Sequence, residues 1–300
     1  NFIVLLPEIC LDRVEMKKRT KNSAFWLVMP ASALLAFSFV VPIMAVINYS
    51  LHDVFFGNNF IWVGAHWYET VLGSVEFWGT LGRTFLYAIV VIAIEIPLGV
   101  WIALHMPRFG RQATFFIMIA AVPLLIPWFI VGLIWKVISD ASIGPLGVLA
   151  TGVTDLYDLN NVITAWIIIV LADVWHWVGL VVLLSYATLV AIPQAYYQAA
   201  QIDGASRRAI FFHVELPQLK RVLIIALLLR LIDGLMVYIE PFMITRGGPG
   251  KSTTFLSQDL IQTAMKEFDF GEASASALIY MLIMLTLAWA LFRIMTASDD

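Results

Sequence analysis

Gln198-Ala199-Ala200-Gln201-Ile202-Asp203-Gly204-Ala205, running on to Leu216-Pro217, is a short polar interlude punctuated by glycine and proline. The residues on either side, roughly 162–192 and 222–245, are apolar enough to cross a bilayer. A loop that only joined two such segments has no need of this length. The excess marks a docking element and makes this a membrane chain with a partner on the side of that loop.

The composition agrees. Of 300 residues, 61% are hydrophobic and 13% charged, against about 45–50% and about 25% in soluble domains. About 20 apolar residues cross the roughly 30 Å of hydrocarbon, and six stretches qualify: about 25–49, 83–105, 113–137, 162–192, 222–245 and 275–294. Only a helix satisfies its own backbone in lipid when edges are open. The sequence therefore predicts an all-α membrane protein of six transmembrane helices, forming one domain over 25–300. Pro42, Pro97, Pro123, Pro127, Gly179, Gly234 and Pro241 fall inside these stretches and predict kinks. Residues 1–24 read as an N-terminal extension. Its first part, 1–11, holds Pro7 and Glu8, is too short to span, and is expected to be flexible or to lie on the surface; it has no charged leader and is not read as a signal peptide.

Lys and Arg fix the orientation. Arg13, Lys17, Lys18, Arg19, Lys21, Arg108, Arg111, Arg207, Arg208, Lys220, Arg221 and Arg293 fall on one side, and only Arg246, Lys251 and Lys266 on the other. Twelve against three places both termini in the cytoplasm. With a net charge of −3 and no basic block beyond 17–21, nucleic-acid binding is excluded. The lone Cys10 has no internal disulfide partner and no metal-ligand spacing. On the outer side, 52–82 carries Trp62, Trp67, Tyr68 and Trp78, which read as an interfacial aromatic belt or as a docking surface for an external protein.

Between spans four and five, Pro193 closes one helix and Pro217 opens the next. Residues 194–202 are good helix formers, Gly204 interrupts, and 205–214 forms a second short helix. Ala199, Ala200, Gly204 and Ala205 are small enough for a partner's backbone to approach. Asp203 and Arg207 offer one charge of each sign, and Phe211 and Phe212 offer apolar anchors.

This loop, 193–217, closely resembles the signature loop of permease subunits in ATP-binding-cassette importers. Gln198-Ala199-Ala200, Asp203-Gly204-Ala205, Phe211, Val214 and Leu216-Pro217 stand at the family's offsets. The departure is Gln198 where the family has glutamate, which keeps a hydrogen-bonding amide and gives up an ion pair. The resemblance implies that these are coupling helices, fitted into a cleft of an ATPase and passing its closure to the spans. Gln198, Ala199, Ala200, Asp203, Gly204, Ala205, Arg207 and Phe211 are then the ATPase-coupling residues.

Gly250-Lys251-Ser252 superficially suggests a phosphate-binding loop, but Thr245 stands where that pattern needs its first glycine. The run from Thr245 through Gly247-Gly248-Pro249 resembles instead the turn after the penultimate span in carbohydrate-uptake permeases. The likeness continues at Thr253, Leu256, Ala264, Phe268, Gly271 and 273–275. The two motifs cover roughly 190–280. Together they imply a multi-pass subunit of the bacterial inner (plasma) membrane, paired with a second permease, two ATP-binding-cassette subunits and an external solute-binding protein. The chain itself would be no enzyme and bind no cofactor, ATP and Mg being used by the partner subunits. The implied solute is a sugar, a polyol of glycerol type, or one of their phosphates.

Ionisable groups at membrane depth are costly and face the bundle interior. Arg230, Asp233 and Glu240 lie on one predicted face of span five, and Arg230 and Asp233 are spaced to neutralise each other. Span four holds Asp173 and His176 beside Trp166 and Trp177, and span two holds Glu95 near Pro97. Asp173, Trp177, Asp233, Tyr238 and Glu240 are the candidate pathway residues: carboxylates accept hydroxyl protons and indole covers C–H surface. The competing reading is a set of interhelical pairs that hold the bundle together. A single deep cation favours a neutral solute over a phosphate. Two other classes stay open, an autonomous secondary carrier or channel and a membrane-embedded enzyme, though no hydrolase motif lies in a span.

Overall fold

The computed structural model describes residues 6–55, 59–153 and 157–297. It begins with a long helix, α1 (Leu6–Ser50), then a hairpin of β1 (His52–Phe55) and β2 (Asn59–Trp62) in which His52 faces Trp62. Next come α2 (His66–Gly73), α3 (Val75–His105), α4 (Arg111–Ala121), a 3-10 turn Pro123–Leu125, α5 (Trp128–Ile138) and α6 (Pro145–Val153). The long α7 (Val162–Ala191) leads into α8 (Gln194–Ile202), α9 (Arg207–Ile210) and a wide π turn Phe211–Glu215. That turn runs directly into α10 (Leu216–Leu235), followed by α11 (Ile239–Thr245), α12 (Leu256–Gln262), a second π turn Thr263–Glu267 and α13 (Phe270–Ala297).

Among the described residues, four segments are single helices long and apolar enough to cross a membrane: Trp26–Ser50 of α1, α3, α7 and Phe270–Leu291 of α13. Two of the six expected spans are broken instead. The stretch 113–137 divides into α4 and α5, each 11 residues and too short to cross alone. Pro123 and Pro127 lack an N–H and crowd the carbonyl four residues back, so no helix continues through them. The stretch 222–245 bends by 48° between α10 and α11. Pro241 has the same effect on the carbonyl of Val237, which stops α10 at Leu235. Tyr280 on α13 donates its hydroxyl to the Leu235 carbonyl at this break.

Two smaller expectations also change. The chain is not wholly helical, because the loop after α1 holds the hairpin. The segment expected as a loose or surface-lying extension is, from Leu6 onward, continuous with α1, and residues 1–5 lie outside the described chain.

Helix starts follow local chemistry. Ser74 accepts from the Phe77 amide at 3.3 Å and Asn161 from the Ile163 amide at 2.9 Å. The core then forms where small residues let helices close. A Cβ on Gly99 of α3 would lie 2.6 Å from that of Val181 on α7, and one on Gly234 of α10 would lie 3.3 Å from Ala88 of α3. Val100, Val182, Leu189, Leu219 and Ala226 bind α3, α7 and α10 toward one end. Tyr87, Ile168, Ile169, Val237 and Phe255 fill the opposite half. A third cluster, with Val71, Phe77, Leu256, Ala275 and Tyr280, joins α2, α3, α12 and α13. The apolar side chains that α1 carries between Trp26 and Ile47, such as Leu27 and Leu35, remain largely exposed, as lipid requires.

Helices α3 and α7 run parallel. Their C-terminal ends meet where Tyr186 donates to the carbonyls of Pro107 and Arg108. This end carries α8 and α9, and the hairpin, α2 and α12 lie at the opposite end.

Candidate functional site

Arg230 is fully buried on α10 and reaches three carboxylates on three helices. Its Nε and Nη2 donate to Glu95 on α3 at 2.6 and 2.9 Å. Nη2 also reaches Asp173 on α7, and Nη1 reaches Asp233 one turn along, both at 2.5 Å. The guanidinium lies 4.8 Å from the Trp177 ring, a face that favours a cation. Glu95 and Asp173 are as buried as the arginine, whereas the Asp233 side chain keeps 31% of its surface exposed.

That exposure opens into a cavity of about 130 Å³ at the break between α10 and α11. Its walls include Trp128, Asp173, Asp233, Met236, Tyr238 and Glu240. Glu240, in the first turn of α11, stands 3.4 Å from His176 Nδ1 on α7. Trp128 packs on Trp177 at 6.4 Å, and Tyr238 stacks on Phe242 at 5.3 Å. Four of the five pathway candidates, Asp173, Asp233, Tyr238 and Glu240, therefore line one cavity. Trp177 covers the arginine behind it. The expected pairing of Arg230 with Asp233 is present, but Glu240 is not on a continuous stripe with them; it arrives on the separate α11 after the bend. Carboxylate oxygens beside indole and phenol rings are fitted to hydroxyl donors. Arg230, the deeply buried arginine among the described residues, is already engaged by three carboxylates.

At the opposite pole, α8 carries Gln198 and Ala199 exposed and Ala200 half-buried. Asp203 ends α8, its amide bonded to the Ala199 carbonyl at 3.0 Å. Gly204 turns the chain with φ +68°, facing open space. Glycine is needed there for the backbone angle, not for room. Ala205 is half-buried, and Ser206 caps α9 through the Ala209 amide at 3.2 Å. Phe211 packs inward on the core, whereas Phe212 is exposed. Arg207 is not a free charge: its Nη1 lies 2.5 Å from Glu215.

Sequence reasoning overlooked Glu215, Arg108 and Tyr197. Glu215 is completely buried in the π turn. Its Oε1 accepts from Tyr197 of α8 at 3.2 Å and from Arg108 of the α3–α4 loop at 3.4 Å. Arg108 also stacks over the Tyr197 ring at 4.3 Å. Burial raises the Tyr197 pKa, so the phenol stays a donor. These groups border a polar cleft of about 550 Å³ that also includes Gln198 and Gln201. A carboxylate in a segment with two arginines was the available signal. Trp128 was hidden too, because Pro127 divides a stretch that reads as continuous.

The turn after α11 is firmly held. Thr245 and Thr253 share a hydrogen bond at 2.7 Å, Trp166 donates to the Ser252 carbonyl at 3.0 Å, and Arg83 to that of Thr254 at 3.1 Å. Lys251 pairs with Glu76 at 2.5 Å, a bond that raises the lysine's pKa.

Residues 95–300 match the family model described as the binding-protein-dependent transport system inner membrane component. A trehalose/maltose transport system permease protein, MalF, of Thermococcus litoralis is 33% identical over 91% of this chain and 93% of its own length. A probable ABC transporter permease protein, y4oQ, of Sinorhizobium fredii is 31% identical, covering 93% and 94%. Among solved structures, a chain of a bacterial ABC transporter that imports the acidic polysaccharide alginate superposes with a TM-score of 0.80, covering 96% of this chain and 100% of that one at 17% identity.

Proposed function

We propose, from the premise that this chain belongs to the family of binding-protein-dependent transport system inner membrane components, a role for each pole of the molecule. The chain is a non-catalytic permease subunit of an ATP-binding-cassette importer in the inner membrane, and hydrolysis is done by separate subunits. Its complex imports a carbohydrate, in keeping with the trehalose/maltose relative. The cavity at the α10–α11 break is a station on the solute's path, with Asp173, Asp233, Tyr238 and Glu240 accepting or donating hydroxyl hydrogen bonds. An arginine already shared by three carboxylates leaves little to attract a phosphate, so the solute is a neutral sugar or polyol.

Six crossings follow if α4 with α5, and α10 with α11, each count as one. Both termini are cytoplasmic by the bias of Lys and Arg. A second permease completes the pathway, an external solute-binding protein delivers to it, and two ATPase subunits, which alone bind ATP and Mg, grip α8 and α9. The observation that carries this assignment is the exposed helix–Gly204–helix unit joined without a linker to α10. Movement of such a unit biases a membrane element between two positions.

The test is uptake by the reconstituted complex in proteoliposomes, with trehalose and glycerol as separate probes. Uptake of at least one should require ATP on the side of α8 and be lost in Gly204→Asp, which strains the turn while leaving insertion intact. Solute movement by this chain alone, without an ATPase, overturns the assignment and favours an autonomous carrier.

A further inference from the structure

Four pieces of chain meet at Glu215: the α3–α4 loop through Arg108, α8 through Tyr197, α9 through Arg207, and α10, which begins at the next residue. Both carboxylate oxygens are engaged, Oε1 by Arg108 and Tyr197 and Oε2 by Arg207. Arg108 is itself fixed from two directions. Its Nη2 donates to the Tyr197 hydroxyl at 2.8 Å, and its backbone carbonyl receives the Tyr186 hydroxyl of α7 at 3.1 Å. The carboxylate is fully buried while both arginines remain partly exposed, at 38% and 58% of their side-chain surface.

This geometry differs from that of a surface ion pair, which holds little. A buried carboxylate with both oxygens held by donors resists displacement, because each donor removed leaves charge without solvent. Without it, α9 would lose its ionic tie to the rest, and α8 would keep only the Arg108–Tyr197 contact, the packing of Tyr197 on the core and the backbone joints at Pro193 and Gly204. One glycine with an open surrounding, Gly204, already divides α8 from α9. A push on the exposed face of α8 would then be absorbed by rotation about these joints.

We propose that Glu215 is a positioning residue for coupling: its carboxylate clamps α8, α9 and the α3–α4 loop to the start of α10, so that movement imposed on the loop reaches the break that holds the cavity. The proposal rests on the importer reading. It adds an internal latch that is separate from any contact with the ATPase, and Arg207 serves the latch as well as the surface.

The test uses the full complex in nanodiscs, with Cys10→Ser removing the native thiol and Met236→Cys as reporter. Met236 lies at the break and is exposed to the cavity. The readout is the rate of maleimide modification at 236 before and after trapping with Mg-ATP and vanadate. In the parent the rate changes on trapping. Glu215→Gln should assemble with its partners and shrink that change at least about fivefold, the lower range for coupled sites. Glu215→Asp should restore most of it, and Arg108→Gln should cost less of the response when added to Glu215→Gln than when made alone, since the interaction the two share is then already gone. A normal response at 236 in Glu215→Gln overturns the latch. So does loss of assembly in both Glu215→Gln and Glu215→Asp, which would make the residue purely structural. A parent complex whose position 236 ignores nucleotide overturns the importer reading itself.

Discussion

Arg230 shows how one side chain organises the membrane interior. Four hydrogen bonds join it to carboxylates of α3, α7 and α10, and its flat ion rests on Trp177. Arg230→Ala strands Glu95 and Asp173 in a place without water, and breaking a buried pair in this way costs about 3–5 kcal/mol. Arg230→Lys keeps the charge but has no planar fork with which to hold both oxygens of Glu95. Both variants should therefore melt earlier in detergent, alanine by the wider margin, as followed by tryptophan fluorescence during heating. An unchanged Tm for Arg230→Ala would mean that the three helices do not depend on this group. Lys251 and Glu76, paired at the exposed opposite end, call for the contrary expectation. Their bond is largely solvated, and losing it changes stability little.

Among helices, glycines decide who may touch. A Cβ on Gly179 of α7 would collide with the Ala120 carbonyl of α4, and one on Gly132 of α5 would lie 2.6 Å from Met243 of α11. Gly179→Val should drive α4 away from α7 and cost about 1–3 kcal/mol or more, the usual range for overpacking. Gly82→Ala meets no atom within 4 Å and should leave Tm unchanged or slightly raised, since alanine favours a helix. Equal behaviour of the two variants would refute this picture of packing. Apolar length made α1, α3, α7 and α13 legible in the sequence. The breaks were less so, because Pro241 acts on a carbonyl four residues earlier and the bend therefore precedes the proline that causes it. That Asp173, Asp233 and Glu240 would face the bundle interior was legible, because a carboxylate at membrane depth must turn toward a partner or a cavity. Glu215 was not, because Arg108 lies 107 positions away in the chain and its approach depends on the parallel course of α3 and α7.

For the whole molecule, topology is the property most open to a direct check. Trp62, Ile202 and Met265 are 65%, 86% and 66% exposed, and each tolerates a cysteine in a Cys10→Ser background. An impermeant maleimide added to intact cells should label Trp62→Cys and Met265→Cys, while Ile202→Cys should react only after the membrane is opened. Labelling of Ile202→Cys from outside would reverse the orientation and remove any cytosolic ATPase from its docking loop. The exposed apolar surface of α1 fits the same picture, since it must be covered by lipid or by a neighbouring subunit for the chain to be soluble in its own membrane. The bend at residues 236–238 limits where the proposed solute station can lie. Peptide groups released from a helix at that depth must be hidden from hydrocarbon, so the proposed station is pinned to the kink. On that reading, the side chains around the hollow can change without moving it, whereas shifting it along the chain requires moving the proline first.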